Sequence, residues 1–171
     1  MIMRHWMTGL VLAGAMAGPA LGQGNAAVVE AILQADREFA ALAAETDIET
    51  AFATWMDADE GRLVRGTATP VRGETQIRAL FGGVPAGTLL HWEPVEGLAG
   101  SGDDFGVTWG VWELHPDGDR STPPAGRGTY VTAWHLDADG NWRGVLDMGT
   151  DDPSYQPPQA DPDSQSAPED D

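Results

Sequence analysis

Apolar residues in the first third of the chain recur every three or four positions. Val28, Val29, Ile32, Ala35, Phe39 and Leu42 form one stripe, with Glu30, Gln34, Glu38 and Glu45 mostly off it, which predicts an amphipathic helix over 26–44. Asp36 breaks the pattern, because it lies one turn after Ile32 and close to the stripe of Phe39. A carboxylate at the border of an apolar face is either paired with donors or used in chemistry. A second helix is expected from a capping box, Thr46 with Glu49, followed by Ile48, Phe52, Trp55 and Met56 on one face. Residues 62–65 read as a short strand, 70–73 as a turn, and 74–81 as a third short helix stopped by Gly82-Gly83.

From residue 89 the period changes to two. Residues 89–96 and 105–114 flank a turn at Gly100-Ser101-Gly102-Asp103, and residues 128–136 and 142–148 flank Asp139-Gly140-Asn141. Helices followed by two long hairpins define an α+β class with helices on one face of an antiparallel sheet. The strand at 105–114 carries Phe105, Val107, Trp109 and Val111 on one face and Gly106, Thr108, Gly110, Trp112 and Leu114 on the other. Large groups on both faces mean that both are at least partly covered, one by helices and the other by a partner.

The ends read differently. Arg4 and His5 precede an uncharged stretch from Trp6 to Ala17, with small residues at Ala20 and Gly22, which predicts an export signal over 1–22. The expected location is periplasmic or secreted, with no membrane anchor. Residues 151–171 hold seven acids, five prolines and no base, which predicts a disordered acidic tail. Between them, the domain at 23–150 carries 20 acids and eight arginines, a net charge of −12. That surface repels phosphate backbones and excludes nucleic acid as a partner. The chain has no cysteine, hence neither disulfides nor thiol chemistry.

Several local stretches carry a resemblance. They are Asp36-Arg37-Glu38-Phe39, Pro70-Val71-Arg72-Gly73 with Ile77, Trp92-Glu93-Pro94, and 101–106 before Trp109-Gly110. Residues 128–134, 139–142 and 145–149 complete the set. In this order and spacing the chain resembles the nuclear-transport-factor-2-like superfamily, which includes ketosteroid isomerases, SnoaL-like cyclases and scytalone dehydratase. It is most similar to a bacterial branch of SnoaL-like domains of unknown function. The resemblance implies a cone-shaped α+β barrel, N-terminal helices packed on a strongly curved antiparallel sheet, with a pocket inside and homodimers through the outer sheet face. It does not imply a reaction, because one scaffold hosts enzymes, binders and assembly modules.

The acid–base enzymes of that superfamily work with pocket carboxylates, histidines and tyrosines. Here the candidates are Asp147, Tyr130 and Asp36, an acid serving as base and Tyr130 as the donor to an enolate oxygen. Asp147 alternates with Val145 on the last strand; its other reading is a pair with Arg65 or Arg143. Phe39, Trp55, His91, Trp109 and Trp134 are the expected pocket lining. His91, His115 and His135 lie on separate strands without ligand spacing, so no metal or cofactor is assigned. Three readings remain open: an exported domain binding a small apolar or aromatic ligand, a cofactor-free isomerase, dehydratase or hydrolase, and a dimeric interaction module with a filled pocket.

Overall fold

The computed structural model describes residues 26–66 and 68–158. The expected signal at 1–22 and residues 159–171 of the expected tail lie outside the described residues. Helix α1 (Ala26–Glu45) turns Val28, Ile32, Ala35, Phe39 and Ala43 inward, and Asp36 goes with them. Thr46 does not cap the second helix. Its hydroxyl donates back to Leu42 O at 2.7 Å and closes α1. The cap falls one residue later, where the Asp47 carboxylate accepts from Thr50 N at 2.7 Å. Helix α2 (Ile48–Trp55) then places Ile48, Ala51 and Phe52 in the core. Glu49, expected in the capping box, faces Arg78 at 3.4 Å instead.

After α2 come β1 (Arg62–Arg65), β2 (Val71–Arg72) and α3 (Gly73–Phe81). The long strands follow as β3 (Leu89–Ala99), β4 (Phe105–His115), β5 (Gly126–Leu136) and β6 (Trp142–Asp151). They form one open sheet in the order β2-β1-β6-β5-β4-β3. All pairings are antiparallel except β1 with β6, which is parallel and aligns Leu63 with Asp147 and Arg65 with Gly149. Sequence periodicity carried no sign of that crossover. The register slips at Val95 in β3 and at Val145 in β6, and such bulges bend a sheet. The second slip matters for the site. It breaks the expected sharing of a face by Asp147 and Val145, and aligns Asp147 with Thr132 on β5.

The helices cover the face that carries Gly106, Thr108, Gly110 and Trp112, chiefly through α1 over β3 and β4. Gly106 permits this approach, since a Cβ there would lie 2.6 Å from Ile32 Cδ1 and 2.8 Å from Leu98 O. Phe39 is the centre of the core. Its ring lies 4.7 Å from those of Phe52 and Trp92, and 6.4 Å from that of Trp134. Among the described residues no helix is long and apolar enough to cross a membrane.

The boundary expected at residue 150 falls inside β6, which runs to Asp151. The chain stays docked beyond it. Asp152 pairs with Arg127 at 3.1 Å, the Arg127 guanidinium sits 4.6 Å from the Tyr155 ring centre, and the Tyr155 hydroxyl donates to Pro124 O at 2.6 Å. The first residues of the expected disordered tail are therefore part of the domain.

Replacing Gly106 with valine must move either the Ile32 methyl or the Leu98 carbonyl, and only the first can yield. Overpacking of this kind costs about 1–3 kcal/mol. Urea unfolding of Gly106→Val is expected to show a loss in that range; an unchanged midpoint would mean that α1 sits less tightly on β4 than described.

Candidate functional site

Two buried carboxylates organise the interior, and the sheet register places one of them, Asp147, and the donors to the other, Asp36. Asp36 comes from α1 and is fully buried. Its Oδ1 accepts from the Trp92 indole N–H at 2.9 Å, and its Oδ2 accepts from the Thr108 hydroxyl at 2.6 Å and the Tyr130 hydroxyl at 3.0 Å. Trp134 donates to Thr108 Oγ1 at 2.8 Å, so its N–H supports the same cluster at one remove. The three direct donors stand on β3, β4 and β5, so one side chain of α1 is bonded to three strands at once. None of them is a cation. Burial therefore raises Asp36 from 3.8 to about 6, against the opposing pull of the hydrogen bonds from Thr108, Trp92 and Tyr130; the charge on Asp147 adds to the rise. Tyr130 is pushed well above the usual tyrosine range, first by its own burial and then by the negative charge of Asp36.

Asp147 is different because it has a counter-ion. Its Oδ1 lies 2.5 Å from Arg65 Nη2, and its Oδ2 accepts from the Thr132 hydroxyl at 2.7 Å. The parallel pairing of β1 with β6 delivers Arg65 to this point. Of the partners expected for Asp147, Arg65 is the one found; Arg143 pairs with Asp137 at 3.2 Å instead.

Beside these clusters is a cavity of about 520 Å³, bounded by Phe52, Leu90, Trp92, Trp112, Tyr130, Arg65, Asp147 and the end of β6. Gly149, paired with Tyr130 on one side, lines this space without a side chain; Gly110, paired with Tyr130 on the other, serves packing instead, since a Cβ there would run into Glu93 O. Trp112 spans the space, its N–H shared between Thr129 O and Thr150 O at 3.2 Å each.

Of the three expected catalytic residues, Tyr130 and Asp147 reach this cavity and Asp36 lies behind Tyr130, without solvent exposure. Tyr130 and Asp36 are brought together; Asp147 belongs to the second cluster. The expected pocket lining is corrected throughout. Phe39 and Trp134 are core. Trp55 borders a separate groove with Trp142 and Glu38. His91 is half-buried and pairs with Glu93 at 3.1 Å, while Trp109 shares the outer sheet face with Val111. The real walls, Leu90, Trp92 and Trp112, were legible as the inward alternation of β3 and β4 once the covered face is known. Among the described residues no three His, Cys, Asp or Glu side chains gather as a metal site.

No protein-family profile and no curated protein sequence matches the chain. Solved structures do. An NTF2-like protein with a cystatin-like fold from Novosphingobium aromaticivorans is similar at a TM-score of 0.58 and 16% identity, covering 74% of this chain and 82% of that one. A ketosteroid isomerase-like protein from Erwinia carotovora atroseptica gives 0.56 and 15%, covering 73% and 94%. An NTF2-like protein of unknown function from Pseudomonas putida gives 0.56 and 12%, covering 84% and 95%. At such identities the likeness establishes the fold alone: this chain has the nuclear-transport-factor-2-like cone of helices on a curved, unclosed sheet.

The raised value of Asp36 sets a pH dependence. The folded protein holds this proton more tightly than the unfolded chain does. The group's stabilising contribution is fully present below about pH 4 and is lost as pH rises through about 6, a swing of about 3 kcal/mol. In Asp36→Asn the amide oxygen can face Trp92 and the amide nitrogen the two hydroxyls, which rotate to accept. Carboxylates held low by their partners, such as Asp47 and Asp57, act equally in both proteins. Urea unfolding is therefore expected to show the variant gaining on the wild type by about 2 kcal/mol between pH 4 and pH 7. A difference independent of pH would contradict the burial argument.

Proposed function

We propose that this is an exported small-molecule-binding protein whose cavity holds a small, largely apolar molecule. The observation that carries the reading is the open space of about 520 Å³ walled by Phe52, Leu90, Trp92, Trp112 and Tyr130. Cavities of this size with aromatic walls and few polar groups suit a ligand with a flat hydrocarbon body. The ketosteroid isomerase-like name of one similar structure supports an apolar ring system as the occupant.

Proton-transfer catalysis is the second reading, favoured by the raised Asp36 in contact with Tyr130. Geometry weighs against it. A general base must reach the proton it removes, and Asp36 has both oxygens occupied and no exposure. The Tyr130 hydroxyl already donates its hydrogen bond to Asp36, and both oxygens of Asp147 already accept hydrogen bonds. Binding is the better account.

Native mass spectrometry of the protein isolated from its own cells is expected to show a co-purifying organic molecule. Gly149 supplies the control, because a Cβ there has ordinary space, 3.7 Å from Trp112 Nε1. Gly149→Leu should fold and lose the bound mass; retention of the ligand in that variant would place it elsewhere.

We also propose that a second copy covers the outer sheet face. Leu98, Phe105, Val111 and Met148 are exposed there at 38–49%, an apolar surface that monomers seldom leave open. Sedimentation is expected to give a dimer for the wild type and a monomer for Val111→Glu. A monomeric wild type would rule the pairing out.

A further inference from the structure

The cavity is unusual in where its donors point. Trp92 and Tyr130 direct their N–H and O–H into Asp36, and Trp112 donates to two main-chain carbonyls. The hydroxyl of Thr150 is engaged with that of Thr129 at 3.0 Å. These walls offer a ligand π-faces and little else. Arg65 is the exception. A guanidinium has five N–H groups, and the hydrogen bonds here use Nη1 toward Val64 O and Asp147 O and Nη2 toward Asp147 Oδ1. Capacity remains at Nε and at Nη2, and the side chain keeps 31% exposure on the cavity wall.

The charge of Arg65 is already matched by Asp147, and Asp151 adds a second acid to the same rim. A ligand carboxylate arriving here would compete with Asp147 for the guanidinium and be repelled by both acids. A neutral acceptor, such as a carbonyl oxygen, needs only the spare N–H groups. We infer that Arg65 is the specificity-determining residue of the cavity, donating to an acceptor atom of an uncharged, largely hydrocarbon ligand, while Asp147 masks its charge so that carboxylates are turned away. This inference rests on the cavity being a ligand site.

Three probes of nearly one shape separate the terms: 2-acetylnaphthalene (neutral acceptor), 2-ethylnaphthalene (no acceptor) and 2-naphthoate (anion). Each is titrated into the full chain while the indole N–H resonances of Trp92 and Trp112 are followed by NMR. In the wild type the ketone is expected to bind about tenfold tighter than the hydrocarbon, the gain of one charge-assisted hydrogen bond, and tighter than the naphthoate. Asp147→Asn unmasks the guanidinium and is expected to tighten naphthoate by about tenfold or more. Arg65→Met alone would leave Asp147 buried without a counter-ion and risk unfolding. The double variant Arg65→Met with Asp147→Asn avoids this, and in it the ketone and the hydrocarbon should bind equally.

Equal binding of ketone and hydrocarbon in the wild type, or naphthoate binding tightest of the three, overturns the role of Arg65. So does an Asp147→Asn variant whose naphthoate affinity is unchanged. If none of the probes shifts either indole signal, the cavity itself is no ligand site, and both the proposed function and this inference fall.

Discussion

The structure depends on one buried carboxylate that no cation neutralises. Asp36 draws a tryptophan, a threonine and a tyrosine from three successive strands onto one turn of α1. An unsatisfied charge at that depth would cost several kcal/mol, so the donors must hold their places for the helix to lie where it does. That requirement fixes the cavity as well. With their donors turned to Asp36, Trp92 and Tyr130 present ring faces to the open space, and the cavity is apolar because its polar atoms are spent behind it.

The second cluster works by the opposite means. Asp147 has a guanidinium and a hydroxyl, and the charges cancel at the cavity wall. The fold thus sets two acids at similar depth and gives them different tasks. One clamps the helix to the sheet; the other pairs with the Arg65 guanidinium on the cavity wall. At 15% identity the likeness to a ketosteroid isomerase-like protein is one of fold, and it carries no chemistry across.

Much of this was written in local pattern. The 3.6-residue stripe of α1 set Asp36 at the border of the apolar face, and the two-residue alternation of β4 separated Thr108 and Trp112 from Trp109 before either face was known. What local pattern could not carry is long-range. Arg65 meets Asp147 across 82 residues only because β1 joins β6 in parallel. The bulge at Val145 then shifts Asp147 from the face that strict alternation assigns it relative to Val145. Pocket lining failed for the same reason. Phe39 and Trp134 are large and aromatic like the true walls, but they lie among the α1, α2 and β5 side chains that pack the closed side of the cone. Residue type did not distinguish the closed side from the open one; Gly149, opposite Tyr130 on the cavity wall, does.

The most direct measurement is a crystal structure of the protein isolated from its own cells under native conditions. Electron density is expected for an organic molecule lying on the rings of Trp92, Trp112 and Tyr130, its polar end toward Arg65, with the three donors of Asp36 unmoved. An interior collapsed onto its own side chains, or a ligand bonded directly to Asp36, would contradict it.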